Sequence, residues 1–143
     1  NGMTEMLESA NYDVHFAALD DVDHAGHSSG FLPENPEYQA AISNADSQVG
    51  QMLAAIDARP TRSEERWLVA ITADHGGDES GHGSLNADNR TIPLLLWGDG
   101  VVPGEITGDF ISHMDVHPTA MSYLGHPPQT HWALDGETRA LTD

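Results

Sequence analysis

The chain has 143 residues, of which 38% are hydrophobic and 20% charged, and it contains no cysteine. Its formal net charge is −18, and all five basic residues are arginine because lysine is absent. A surface this acidic repels nucleic acid duplexes and anionic membranes, and no apolar run approaches the roughly 20 residues that cross a bilayer.

Two strands and a long helix dominate the first half of the predicted structure. Residues 3–10 favour the end of a helix, and residues 12–19 combine β-branched and aromatic residues, which predicts a strand. Apolar residues recur at helical spacing over 37–59, which predicts an amphipathic helix. Residues 67–73 form a nearly continuous apolar run, which predicts a strand buried on both faces.

The second half continues with a strand, a helix and a tail. Residues 91–98 predict a strand, with Pro93 at its start or on an edge. Residues 112–124 predict a helix that ends at Gly125, and residues 131–143 predict an irregular tail. Strand, long helix and strand in this order predict a βαβ unit, and such units build parallel sheets covered by helices.

Two clusters rich in aspartate and histidine follow the predicted strands 12–19 and 67–73. In open α/β sheets ligands bind beyond the carboxyl ends of the strands, so both clusters fall where one site would form. Gly26 allows a tight turn within the first cluster. The expected metal ligands are Asp23, His27, Asp74, His75 and His82. This mixture of N and O donors suits Zn²⁺, Mn²⁺ or Fe²⁺ better than Ca²⁺ or Mg²⁺.

Other acidic and histidine side chains have simpler explanations. Asp20 and Asp21 either orient the ligands or are ordinary loop residues. Five histidines fit packed, helix-surface or tail positions better than a metal site: His15, His113, His117, His126 and His131.

Three stretches in this order resemble the alkaline phosphatase superfamily. They are LDDVDHAGHSSG at 19–30, TADHGG through TIPLLLWGDGVVPG at 72–104, and DVHPTAMSYLG at 115–125. Within the superfamily, the D-x-x-G-H motif most resembles the nucleotide pyrophosphatase/phosphodiesterase branch. The resemblance covers about residues 12–125 and implies an α/β fold with three layers, α/β/α, around a mostly parallel sheet.

The same resemblance implies two divalent metal ions. Asp23, His27 and His82 would hold one ion, and Asp74 and His75 would hold the other. Members of this branch usually bind zinc, and other members of the superfamily use manganese.

The chain departs from the family pattern at its N-terminal end. The family also has an aspartate after an early strand and a Thr or Ser nucleophile at a helix start, both upstream of the D-x-x-G-H motif. No residue of this chain fits either role. We therefore expect residues 1–143 to be a single partial domain, the C-terminal half of the metal-binding domain, with little turnover alone. Its exposed sheet edge would pair with the missing half or with a second copy.

The first functional hypothesis is a two-metal hydrolase of small phosphodiesters or phosphomonoesters, with nucleotide pyrophosphates as one substrate class. The alternative is a phosphomutase of the same superfamily, such as a phosphopentomutase or a cofactor-independent phosphoglycerate mutase. Sulfatases and phosphonate hydrolases are related to both, and a non-catalytic, metal-stabilised fragment is a third hypothesis. The compartment stays open, although export is common among zinc-dependent members and a lysine-free acidic surface suits a periplasmic or secreted protein.

Overall fold

The computed structural model describes residues 2–9, 11–79 and 81–142. Three residues of the sequence-based predictions lie outside this range: Ala10 of the helix, Ser80 of the glycine-rich loop and Asp143 of the tail. Within the described residues, no helix has the length and apolar character needed to cross a bilayer.

The chain forms two compact units, each built from two segments. The helical unit consists of residues 1–65 and 76–90, and the sheet unit consists of residues 66–75 and 91–143. Helices and strands are both present, which agrees with an α/β class. The single partial domain over 1–143 and the three-layer arrangement both stay predictions.

Among its described residues, the helical unit has four α-helices, and the longest packs against two of the others. Helices α1 and α2 both pack against α3. Its most buried apolar residues are Leu7, Phe31, Ala41, Ala55 and Ile56. The helices are α1 (Gly2–Ser9), α2 (Asp21–Ser29), α3 (Pro36–Asp57) and α4 (Ala87–Arg90), and a 3₁₀ turn spans Arg62–Glu64.

Helix α3 confirms the amphipathic helix predicted over 37–59, and its start is defined by Asn35. The Asn35 Oδ1 accepts hydrogen bonds from the backbone N–H of Glu37 at 3.0 Å and of Tyr38 at 3.5 Å. Pro36 occupies the first helical position, where its missing N–H costs nothing. The Asn35 amide also donates to the carbonyls of Ser29 and Gly30. One side chain therefore joins the end of α2 to the start of α3.

The strand predicted over residues 12–19 is wrong. These residues belong to no strand in the described part of the chain, and Tyr12, Val14 and Phe16 are exposed. A strand forms only where a neighbour supplies backbone hydrogen bonds, and the local pattern of β-branched and aromatic residues does not provide one. The predicted βαβ unit therefore lacks its first strand.

The tight turn predicted at Gly26 is also wrong, because Gly26 lies within helix α2. It is buried, and a Cβ at this position would lie 2.3 Å from Cε1 of Phe31. The glycine is thus explained by close packing against an aromatic ring rather than by backbone freedom.

The sheet unit contains one pair of strands among its described residues, β1 (Leu68–Thr72) and β2 (Leu94–Gly98). They pair antiparallel, with Leu68 opposite Gly98 and Thr72 opposite Leu94. The predicted parallel sheet is therefore not found here, since the strand that β1 was expected to follow in parallel does not form. Ala70 and Thr72 are exposed, so β1 is not buried on both faces. The start of β2 directly after Pro93 is confirmed.

The helix predicted over 112–124 is present as a 3₁₀ turn, His113–Asp115, that leads into α5 (Val116–Tyr123). Ser112 begins it with a capping box, in which its hydroxyl accepts from Met114 and its own N–H donates to Asp115. Gly125 follows with a φ of +78°, the left-handed conformation that ends many helices.

The tail is more ordered than its sequence indicates. A 3₁₀ turn spans Thr130–Trp132, and a buried ion pair joins Arg139 to Asp115 at 2.9 Å. The other Asp115 oxygen accepts the Glu137 N–H at 2.7 Å, and Thr119 accepts the Arg139 N–H at 3.0 Å. These bonds hold the tail against the start of α5.

Candidate metal centre

Three of the five predicted ligands converge within the helical unit. Asp23 and His27 lie one turn apart on α2, and their Oδ1 and Nε2 atoms are 3.6 Å apart. His82 comes from the loop that precedes α4, and its Nε2 lies 3.6 Å from the same Asp23 oxygen and 3.0 Å from the Nε2 of His27. Helical spacing and one loop thus place one carboxylate and two imidazoles around a common point.

The spacing of these three donors fits a small divalent ion. Zinc binds His nitrogen and carboxylate oxygen at about 2.0–2.2 Å with tetrahedral geometry, which places neighbouring donor atoms about 3.3–3.6 Å apart. The two distances from Asp23 to the imidazoles, 3.6 Å each, lie at the upper end of this range, and the distance between the imidazoles, 3.0 Å, is slightly shorter. The donor types also match the nitrogen and oxygen ligands of Zn²⁺ and Mn²⁺.

The loop that carries His82 is held in shape by Asn89. The buried Asn89 side chain donates to Asp78 Oδ2 at 2.7 Å and accepts the Ser84 N–H at 3.1 Å. Its backbone carbonyl accepts the Gly76 N–H at 2.9 Å, and its backbone N–H donates to Asn86 at 2.8 Å. These four bonds tie the start of the loop to its end, with His82 between them.

Replacing Asn89 with alanine is expected to weaken zinc binding by about tenfold, the lower end of what loss of a supporting hydrogen bond costs a metal site. The reason is that the loop would lose two of its side-chain bonds and hold His82 less firmly. Titration calorimetry with Zn²⁺ measures the affinity. Asn44→Ala, at an exposed position on α3, is the matched control. Equal affinities in the two variants would show that Asn89 does not support His82.

Tyr38 lies beside this site with its phenol protonated. Burial and, to a lesser extent, the negative charge of Asp23 raise the pKa of Tyr38 above its usual value of 10.0. Tyr38 is therefore a neutral hydrogen-bonding group at physiological pH rather than a base.

Asp74 and His75 follow the end of β1, as predicted, and belong to the sheet unit. The His75 Nε2 lies 3.9 Å from Asp74 Oδ1, and the Asp74 side chain is almost fully exposed. Their participation in one site with Asp23, His27 and His82 stays a prediction.

Asp20 and Asp21 lie at the N-terminal end of α2, where both are exposed. Negative charge there is favourable because the helix dipole is positive at this end. This accounts for the two aspartates without a metal, and their role in orienting ligands stays a prediction.

The sequence places Asn89 near the site, as one residue that could contact substrate, but it does not indicate the loop-holding role of Asn89 or the position of Phe31 beside the ligands; both side chains are buried. Asn89 occurs in a run of turn-forming residues, Asn86 to Asn89, that gives no sign of which amide is buried. Phe31 stands just after a glycine and before a proline-rich loop, so its apolar character was the only signal.

Comparison with known proteins gives the family. The Metalloenzyme superfamily matches residues 1–128 of the sequence. The chain belongs to this superfamily. Membership implies the use of a divalent metal ion, and it agrees with the resemblance to the alkaline phosphatase superfamily. No solved structure matches the chain.

Curated relatives of the chain include mutases and a transferase. A phosphopentomutase of Edwardsiella ictaluri is 30% identical over 129 residues, which cover 90% of this chain and 29% of the relative. A phosphopentomutase of Desulfitobacterium hafniense is 34% identical over 88 residues, 62% of this chain and 21% of the relative. A GPI ethanolamine phosphate transferase 1 of Aspergillus fumigatus is 30% identical over 129 residues, 88% of this chain and 11% of the relative.

The chain therefore spans less than a third of the length of these three relatives. Their names describe phosphoryl-group or phosphoethanolamine transfer, so they do not support the narrower resemblance to the nucleotide pyrophosphatase/phosphodiesterase branch.

Proposed function

We propose that this chain carries the metal-binding part of an enzyme that transfers the phosphoryl group of a small phosphate ester, with a phosphomutase reaction favoured. The observation that carries the proposal is the convergence of Asp23, His27 and His82 at ligand spacing. The phosphopentomutase relatives support the mutase reaction over the hydrolase that the motifs first indicated.

Each residue of the cluster has a defined task in this proposal. Asp23 would offer a carboxylate oxygen to the ion, and His27 and His82 would each offer the Nε2 nitrogen. Asp74 and His75 are proposed to hold a second ion, with zinc as the first candidate and manganese as the second. When bound, divalent ions neutralise charge on the transferred group and orient its oxygens.

Hydrolysis is the second candidate, because the cluster is open to water. The side chains of His27 and Asp23 are 54% and 39% exposed. A mutase has to keep the phosphoryl group from reacting with water, whereas a hydrolase requires water beside it. Exposure at the ligands therefore favours hydrolysis unless another part of the enzyme covers them.

Binding of a phosphate ester is tested first, with Mn²⁺ as a paramagnetic probe. We expect the ³¹P resonance of a pentose 1-phosphate to broaden in the presence of the Mn²⁺-loaded chain, because the phosphate lies next to the ion. His27→Ala is expected to abolish this broadening. His24→Ala, an exposed histidine on the same helix, is the matched control. If Mn²⁺ raises the stability of the chain but the ³¹P resonance does not broaden, the result would favour the hypothesis of a non-catalytic, metal-stabilised fragment.

The reaction itself is tested with the Zn²⁺-loaded chain, alone and joined to a segment that carries a Thr or Ser nucleophile. The ³¹P spectrum then separates the two candidates by their products. A mutase gives pentose 5-phosphate without inorganic phosphate, whereas a hydrolase gives inorganic phosphate equal to the substrate consumed. Release of inorganic phosphate alone would reject the mutase.

A further inference from the structure

Phe31 packs beside both imidazoles of the candidate metal centre and offers no ligand atom. It is 7% exposed and follows directly after α2 and Gly30. The centroid of its ring lies 5.5 Å from that of His27 and 5.8 Å from that of His82, with interplanar angles of 78° and 88°. Both contacts are edge-to-face, the arrangement that aromatic pairs prefer.

Two glycines make room for this ring. A Cβ on Gly26 of α2 would lie 2.3 Å from Cε1 of Phe31, and a Cβ on Gly77 would lie 2.4 Å from its Cγ. The helix that carries His27 and the loop that carries His82 therefore both approach the same ring at backbone distance. Tyr38 of α3 packs on it as well, with ring centroids 5.6 Å apart.

Histidine ligands need such a restraint from outside. Rotation about the Cβ–Cγ bond of histidine has a broad energy profile, so the torsion alone does not set the plane of the imidazole. The His27 side chain is more than half exposed, which leaves much of its surface without packing contacts. A rigid ring packed against both imidazoles limits their rotation.

We propose that Phe31 is the positioning residue that fixes the two imidazoles of His27 and His82 for a small divalent ion. The inference rests on the proposed function, because it assumes that these histidines are ligands. Phe31 acts through the histidines and touches no reacting atom. Gly26 and Gly77 contribute to the same positioning, since larger residues at either place would displace the ring.

The test compares Co²⁺ binding by the parent chain with that by Phe31→Leu, which keeps an apolar side chain but removes the ring. We expect a 10- to 100-fold loss of Co²⁺ affinity, the range for residues that orient metal ligands. The visible absorption of bound Co²⁺ should also change, because it reports coordination geometry, whereas a role in stability alone would leave it unaltered. Phe16→Leu, at an exposed phenylalanine of the same unit, is the control.

A second test displaces the ring instead of removing it, so its result does not depend on the folding of Phe31→Leu. Gly26→Ala raises the helix propensity of α2 while its Cβ pushes into the ring. Gly50→Ala makes the same change in α3, where a Cβ meets nothing within 4 Å. We expect only Gly26→Ala to lose affinity and alter the Co²⁺ spectrum.

The outcomes separate the two proposals. A parent chain that binds no Co²⁺ overturns the metal site and, with it, the role of Phe31. A parent chain that binds Co²⁺, together with Gly26→Ala and Phe31→Leu variants of unchanged affinity and spectrum, overturns the positioning role alone.

Discussion

Replacing His82 with alanine is expected to lower the zinc affinity of the chain by more than 100-fold. The change removes one of three converging donors, so its effect should exceed the roughly 10- to 100-fold cost of losing a group that only orients a ligand. His82 also joins the loop to α2, because its Nε2 lies 3.0 Å from His27 and 3.6 Å from Asp23. Calorimetric titration of Zn²⁺ into the metal-free chain measures the loss.

The control for this change is His126→Ala, an exposed histidine of the sheet unit. It tests whether the loss is specific to the site, since nine histidines give the chain many weak metal-binding positions. Asp23→Ala should resemble His82→Ala, because Asp23 Oδ1 lies at the same distance from both imidazoles. Wild-type affinity in His82→Ala would rule out the cluster as the zinc site.

The sequence predicts that Asp23, His27 and His82 come together, and the structure shows them close to one another, but by a different route from the predicted one. Asp23 and His27 are four residues apart, and on a helix such residues share one face. Gly26 between them favours a tight turn instead, because glycine adopts backbone conformations that other residues avoid. The ring of Phe31, which makes a glycine necessary there, comes from packing that no local pattern reveals.

The wrong predictions concern strands, which form only when another part of the chain pairs with them. Residues 37–59 repeat at helical spacing, and helices satisfy their own backbone hydrogen bonds, so α3 was predictable. Residues 12–19 have strand-forming side chains but lie outside any strand, because a ladder needs a neighbour. For the same reason the direction of the β1–β2 pair could not be derived from either strand alone.

The Asp115–Arg139 pair shows a similar limit, because its members are 24 residues apart and neither is marked by its neighbours. Replacing Asp115 with asparagine is expected to cost about 3–5 kcal/mol of unfolding free energy, the usual cost of breaking a buried ion pair. Asp115 and Arg139 are 1% and 8% exposed, so water has little access to the guanidinium that the substitution would leave without its carboxylate partner. Urea unfolding followed by tryptophan fluorescence measures the change in the sheet unit, which contains Trp67, Trp97 and Trp132.

Glu137→Gln is the matched control, because Glu137 also pairs with Arg139, at 3.3 Å, but its side chain is 73% exposed. An exposed pair contributes at most about 1 kcal/mol, so this change should have little effect. Equal losses from Asp115→Asn and Glu137→Gln would show that burial does not determine the strength of these pairs.

The pH dependence distinguishes the charge of Asp115 from its shape. Burial acts to raise the pKa of Asp115, but hydrogen bonds from the Glu137 and Ser112 N–H groups and the Arg139 guanidinium more than offset it, so the pKa lies below its usual 3.8. A carboxyl group with a lowered pKa stabilises the fold fully above its unfolded pKa and loses this contribution as the pH falls through its folded pKa. The parent chain should therefore lose stability more steeply than Asp115→Asn below about pH 4, because asparagine has no proton to gain. The free energy of unfolding is measured for both chains from about pH 6 to about pH 3, which spans the usual carboxyl pKa. If it falls equally in both chains, the carboxylate charge of Asp115 does not hold the tail in place.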